Sequence, residues 1–234
     1  TFPTAAGLAS SASACAALAR AAADAYGLDI DDRALSVLAR RGSGSAARSV
    51  FGGFARMHAG TRDDGADAFA EPVVDARVEL AAVVCAARAD AKTVGSTEGM
   101  ERTRRTSPYH AAWIAQVEAD LGAAEAALAS GDFARLADVV EGSCLAMHAN
   151  AMAARPGIIY FRAPTLWAME RVRALRAGGT PVCFTVDAGP HVVAFTPPDH
   201  ADSVAEALRG HPEMARIFIS SAGAGARAEE RFSR

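Results

Sequence analysis

Strands and helices alternate along this chain without the regular strand–helix–strand period of a doubly wound sheet, which predicts an α+β protein with helices packed on mixed or antiparallel sheets. Two observations carry the prediction. Residues 107–152 hold a long helical pattern, whereas residues 78–86, 181–186, 192–196 and 217–220 are short apolar runs of strand length. Hydrophobic residues make up 51% of the 234, enough to bury a sizeable core in one large domain or two small ones.

The elements follow in order. Residues 12–26 are alanine-rich, and alanine is the strongest helix former; Gly27 punctuates the end. Asp31 and Asp32 cap a second short helix through Arg41, which stops at the loop Gly42-Ser43-Gly44-Ser45. Residues 51–58 read as extended, ahead of the apolar run at 78–86. Trp113, Val117, Leu121, Ala124 and Leu128 fall on one helical face, and Gly131-Asp132 breaks to a second helix, so the two pair as a hairpin. Pro164 opens a helix through Ala177 that Gly178-Gly179 ends before the strand at 181–186. Asp187-Ala188-Gly189-Pro190 is a turn, residues 192–196 return as a strand, and a short helix at 203–209 precedes the strand at 217–220.

The net charge of −3 lacks the basic excess that nucleic-acid binding requires, while a few arginines in a pocket can still capture a small anion. Cys15, Cys85, Cys144 and Cys183 are far apart and show no metal-ligand spacing; they read as reduced core residues, and no metal site is expected. With no apolar run long enough to span a membrane and no secretory signal, a cytoplasmic protein is expected. Lys92 is the only lysine, so arginine supplies the remaining 23 of the 24 basic residues; the exception marks Lys92 for attention, though a chance survivor would look the same.

The segment PTAAGLASSAS, residues 3–13, places small residues where a backbone can approach a ligand and opens a helix whose N-terminal N–H groups favour an anion. By itself such a segment serves tight packing more often than phosphate binding. It nevertheless resembles the PxxxGLxSSA phosphate loop of GHMP kinases, in the form found in the diphosphomevalonate decarboxylases. Further matches follow in order. RRGSGSAARS at 40–49 with Phe51-Gly52-Gly53-Phe54, KTVGSTEGM at 92–100, Thr106-Ser107-Pro108-Tyr109 with Trp113, Met147-His148-Ala149, and FTVDAGP at 184–190 are all similar to that family's motifs.

The resemblance implies a GHMP-kinase-like fold, with residues 1–90 the remainder of the N-terminal, ATP-binding domain and residues 91–234 the C-terminal domain. It implies transfer of the γ-phosphoryl of MgATP to the 3-hydroxyl of mevalonate 5-diphosphate, then loss of phosphate and carbon dioxide to give isopentenyl diphosphate. Asp187 matches the family's catalytic aspartate, and Arg48 the arginine that contacts substrate and aspartate; a helical turn after the Gly-Ser loop would aim its guanidinium at the pocket. Ser43, Ser45, Ser96 and Met100 match substrate-binding positions, with Ser43 and Ser45 expected in a flexible loop. Gly7, Leu8, Ala9, Ser10, Ser11 and Lys92 match the nucleotide-binding positions, with ATP and Mg2+ as cofactors. Without the resemblance, Asp187 reads as a turn-former and His148 as a satisfied structural histidine; His148 stays outside the catalytic set.

Relatives with this fold are often homodimers, which is the assembly expected. The family carries a strand-rich segment, about a third of its fold, ahead of the phosphate loop, and Thr1 is not an initiator methionine. The chain is therefore expected either to be a fragment of a longer polypeptide or to be a truncated relative. Three rivals remain: a phosphomevalonate decarboxylase, a mevalonate 3-kinase-like relative, and a non-catalytic fragment needing a second polypeptide.

Overall fold

The computed structural model describes residues 10–88 and 94–227, which divide into two compact units. The first comprises residues 10–74 and 222–227, the second residues 75–88 and 94–221.

In the first unit the alanine-rich stretch forms α1 (Ser10–Ala25), and the chain turns at Gly27 in a left-handed conformation (φ 61°). Asp31 caps α2 (Asp32–Gly42), its carboxylate accepting the Ala34 N–H at 2.7 Å. Ala16, Ala19 and Ala23 of α1 pack on Leu35 and Ala39 of α2 and on Ala46 and Val50, small side chains that let the backbones approach closely. The loop expected at residues 42–45 shortens to Ser43: Gly42 ends α2, and a 3-10 helix begins at Gly44 and runs to Val50. Of the stretch expected to be extended, only β1 (Ala55–Met57) is a strand, paired antiparallel with β2 (Ala70–Pro72). The Ser36 hydroxyl accepts the Ala70 N–H at 3.0 Å, and Arg40 donates to the carbonyls of Ala68 and Gly65, so α2 carries the strand pair. Residues 222–227 return to this unit, where Gly53 N donates to Gly223 O at 3.2 Å and Ala226 N to Val50 O at 3.1 Å.

The second unit is built on a four-stranded, wholly antiparallel sheet in the order β4 (Cys183–Val186), β5 (Val192–Thr196), β3 (Ala81–Ala87), β6 (Met214–Ser221). The first of these in sequence, β3, starts three residues later than its apolar run predicts. Its helices are α3 (Ser96–Thr106), α4 (His110–Ser130), α5 (Phe133–Met152), α6 (Ala163–Ala177) and α7 (Ala201–Ala207). Gly131, at φ 74°, closes α4, and the Asp132 carboxylate caps α5 by accepting the Arg135 N–H at 3.0 Å, making the expected hairpin. Val83, Cys85, Phe184, Val186 and Val192 of the sheet bury against Val172 of α6 and Val204 of α7 in one apolar core. Phe184 and Val172 are wholly buried.

Candidate active site

Asp187 stands directly after β4, an edge strand of the sheet, whose outward backbone groups have no strand partner among the described residues. Side chains of α5 take that place. Glu141 Oε1 accepts the Phe184 N–H at 3.3 Å, Cys144 Sγ accepts the Val186 N–H at 3.2 Å, and His148 Nε2 donates to the Val186 carbonyl at 2.8 Å. The spacing of 141, 144 and 148 puts all three on one helical face. Arg176 of α6 adds a bond from Nη1 to the Val182 carbonyl at 3.2 Å. Beyond Asp187 the chain turns tightly, with Gly189 N donating to Asp187 O at 2.7 Å, and the Thr165 hydroxyl of α6 donates to Pro190 O at 2.7 Å. The backbone is thus held on both sides of a carboxylate that is itself exposed.

The protonation states around this turn follow from the bonds. A carbonyl only accepts, so His148 carries its proton on Nε2. Burial pushes its pKa below the ordinary imidazole value, outweighing the Val186 bond and the Asp187 charge that pull the other way. His191, directly before β5, accepts the Ala87 N–H on Nδ1 at 3.2 Å and is likewise lowered by burial.

Ser96 is the first residue of α3, and Met100 lies one turn on with 44% of its surface exposed. Sequence patterning did not assign this helix. A Cβ at Gly99 would collide with the Tyr160 hydroxyl, which explains a glycine in mid-helix at a cost in propensity of about 1 kcal/mol. Tyr160 stands edge-on to His148, with ring centroids 6.1 Å apart, so the STEGM helix and the histidine that holds the Val186 carbonyl share a neighbour.

In the first unit the hydroxyls of Ser11, Ser43 and Ser45 form a chain, Ser11 to Ser43 at 3.5 Å and Ser43 to Ser45 at 3.3 Å. Ser11 sits in the first turn of α1, Ser43 closes α2 and Ser45 lies on the 3-10 helix, so tertiary packing converges three hydroxyls from separate elements. Arg48 also sits on the 3-10 helix and is exposed. Gly7, Leu8, Ala9 and Lys92 lie outside the described residues; Ser10 opens α1. A depression of about 910 Å³ in this unit, between α1 and the returning strip, is lined by none of Ser11, Ser43, Ser45 or Arg48. Sequence reasoning missed Cys144 and Thr165 as supports of the aspartate turn. The only available signal was Met147-His148-Ala149, a motif without an assigned role.

The chain matches two family models, one described as the diphosphomevalonate decarboxylase-like N-terminal domain over residues 1–70 and one as the mevalonate 5-diphosphate decarboxylase C-terminal domain over residues 82–224. It is 42% identical over 199 residues to diphosphomevalonate decarboxylase mvd1 of Aspergillus fumigatus, covering 83% of this chain and 49% of that protein. The chain belongs to the diphosphomevalonate decarboxylase family. To the human diphosphomevalonate decarboxylase it is 37% identical over 219 residues, 90% of this chain and 54% of the human protein. Its fold superposes with a TM-score of 0.88 and 41% identity on the solved structure titled MDDEF in complex with MVAPP, AMPPCP and magnesium, covering 96% of this chain and 68% of that one. The chain spans about half the length of the curated diphosphomevalonate decarboxylases it matches.

Proposed function

We propose that this chain carries out the ATP-dependent decarboxylation of mevalonate 5-diphosphate, and the observation that carries the reading is the exposed Asp187 carboxylate on a backbone anchored at both Val186 and Pro190. A carboxylate so placed can hold the substrate 3-hydroxyl in line with a phosphoryl donor and accept its proton as the new phosphoester bond forms. Loss of that phosphate with the electron pair of the breaking C–O bond leaves a cation-like carbon. The C–C bond to the carboxylate then supplies the alkene electrons, releasing carbon dioxide and isopentenyl diphosphate.

Arg48 suits the substrate carboxylate, which its planar fork can hold bidentately. The hydroxyls of Ser43 and Ser45 suit the diphosphate, with Ser96 and Met100 completing the substrate contacts. The N-terminus of α1, with Ser10 and Ser11, suits the nucleotide phosphates together with Gly7, Leu8, Ala9 and Lys92. Magnesium would arrive on the triphosphate, and the Ser11–Ser43–Ser45 chain offers the oxygen donors a hard cation accepts. Its chemistry is to neutralise charge on the transferred phosphoryl group. A cytoplasmic homodimer belongs to the same proposal; the buried free thiols Cys85, Cys144 and Cys183 suit a reducing compartment.

The test is carbon dioxide release from mevalonate 5-diphosphate and MgATP by the complete gene product and its Asp187→Asn and Arg48→Lys variants. Asp187→Asn should keep substrate affinity within several-fold while turnover falls by orders of magnitude, and Arg48→Lys should fold normally yet lose most decarboxylation. Release from mevalonate 5-phosphate alone would move the substrate to the monophosphate. Phosphorylation without carbon dioxide would make the protein a 3-kinase, and no turnover at all would leave a non-catalytic relative.

A further inference from the structure

The Val186 carbonyl belongs to the same planar peptide unit as the Asp187 N–H. Fixing that oxygen therefore fixes the plane from which the Asp187 side chain departs. His148 Nε2 holds it at 2.8 Å, and Cys144 Sγ, one turn earlier on α5, takes the preceding N–H of Val186 at 3.2 Å. Both polar groups of the residue before the aspartate are thus bonded to buried side chains of one helix, His148 being only 2% exposed and Cys144 6%.

His148 cannot swing away. Its ring packs against Phe161 with centroids 4.3 Å apart and meets Tyr160 edge-on, and Tyr160 abuts Gly99 of the helix carrying Ser96 and Met100. A merely space-filling residue here would be apolar. Val186 is itself buried, 1% exposed, so its carbonyl needs a donor from the protein, and burying the imidazole that supplies it costs desolvation that lowers its pKa. A ring donor held by its neighbours also gives that bond a fixed direction.

We propose that His148, together with Cys144, is a positioning residue for Asp187, locking the peptide plane that aims the carboxylate. The assignment rests on the reading of Asp187 as the reactive carboxylate.

The experiment compares His148→Leu, His148→Gln, Cys144→Ala and Asp187→Asn in the complete gene product, measuring kcat and both KM values with mevalonate 5-diphosphate and MgATP beside thermal unfolding. A misaimed carboxylate affects chemistry rather than binding, so His148→Leu should lower kcat about 10- to 100-fold with each KM within about threefold. His148→Gln, whose Nε2–H can reach the same carbonyl, should restore kcat to within about threefold of wild type. A folded His148→Leu with near-wild-type kcat, a KM that rises in step, or a Gln variant no better than Leu would each overturn the proposal. Should His148→Leu not fold, the same kcat-only loss in Cys144→Ala supports it and an unchanged kcat refutes it. Failure of both to fold assigns the pair to the core and ends it. An active Asp187→Asn removes the underlying reading and the proposal with it, whereas an inactive Asp187→Asn beside a fully active His148→Leu refutes the positioning alone.

Discussion

Glu141 joins α5, α6 and the edge strand, and its removal should be felt as one of the larger single losses of stability in the second unit. Its side chain is 5% exposed; Oε2 accepts from Arg176 Nη2 at 2.9 Å, Oε1 from Arg176 Nη1, and Oε1 also takes the Phe184 N–H at 3.3 Å. Glu141→Ala leaves the Phe184 N–H buried without a partner, about 1–3 kcal/mol, and breaks charge-assisted bonds worth about 1.5–3 kcal/mol. Arg176 remains 31% exposed and can turn part of its charge to water, which places the total near the low end, about 3 kcal/mol. Glu141→Gln keeps an acceptor for Phe184 and loses only the charge, so about half that cost is expected. Arg173 reaches Glu141 at 3.4 Å from a side chain 54% exposed, and Arg173→Ala should cost under about 1 kcal/mol. In calorimetry of the complete gene product, 3 kcal/mol corresponds to a fall in Tm of roughly 6–12 °C for a unit of this size. A Glu141→Ala loss below about 1 kcal/mol, or an Arg173→Ala loss as large as that of Glu141→Ala, would refute the account of the buried pair as the support of β4.

The second unit should also weaken in mild acid. His148 and His191 are both held by burial below their ordinary pKa of 6.5, so below that value the unfolded chain binds protons the folded one refuses, and stability falls as pH drops through the window between the folded and unfolded pKa. The expected slope is up to about 1.4 kcal/mol per pH unit for each imidazole; urea titrations between pH 7.5 and 5 that show no slope, or the same slope in His191→Gln, would contradict it. In the first unit Gly225 sits at φ 82°, and a Cβ there would lie 2.6 Å from Val50 O and 2.8 Å from Gly52 N, so Gly225→Ala should loosen the returning strip at a cost of about 1–3 kcal/mol. Limited proteolysis within residues 222–227 measures this, with Gly223→Ala, whose Cβ meets nothing within 4 Å, as the control that should remain resistant; equal cleavage of the two variants would be evidence against strain at Gly225.

Several features could be read from the chain because each is encoded within about ten neighbouring residues. Pro164 and Gly178 bracket α6, Gly131-Asp132 separates α4 from α5, and Asp31 starts α2, all through local capping and backbone preference. The positions Ser43, Ser45, Arg48, Ser96, Met100 and Asp187 could be named because they fall in ordered motifs similar to one family's. The strand β2, three residues ending in proline, carries too little periodicity to be seen, and the glycine-serine segment at 42–45 looks like a loop until Ala46, Ala47 and Val50 bury and wind it into a 3-10 helix. The partners of β4 were hidden for a different reason. Cys144 and His148 read as core residues on a helix, and nothing near them in sequence marks the backbone they serve, 42 and 38 residues away. Likewise residues 222–227 show no local sign that they close against Val50 and Gly53. Turn chemistry and helix periodicity are properties of short segments and so belong to the sequence alone; which edge strand is capped by which buried side chain, and therefore how Asp187 is aimed, depends on contacts that exist only once the chain has folded.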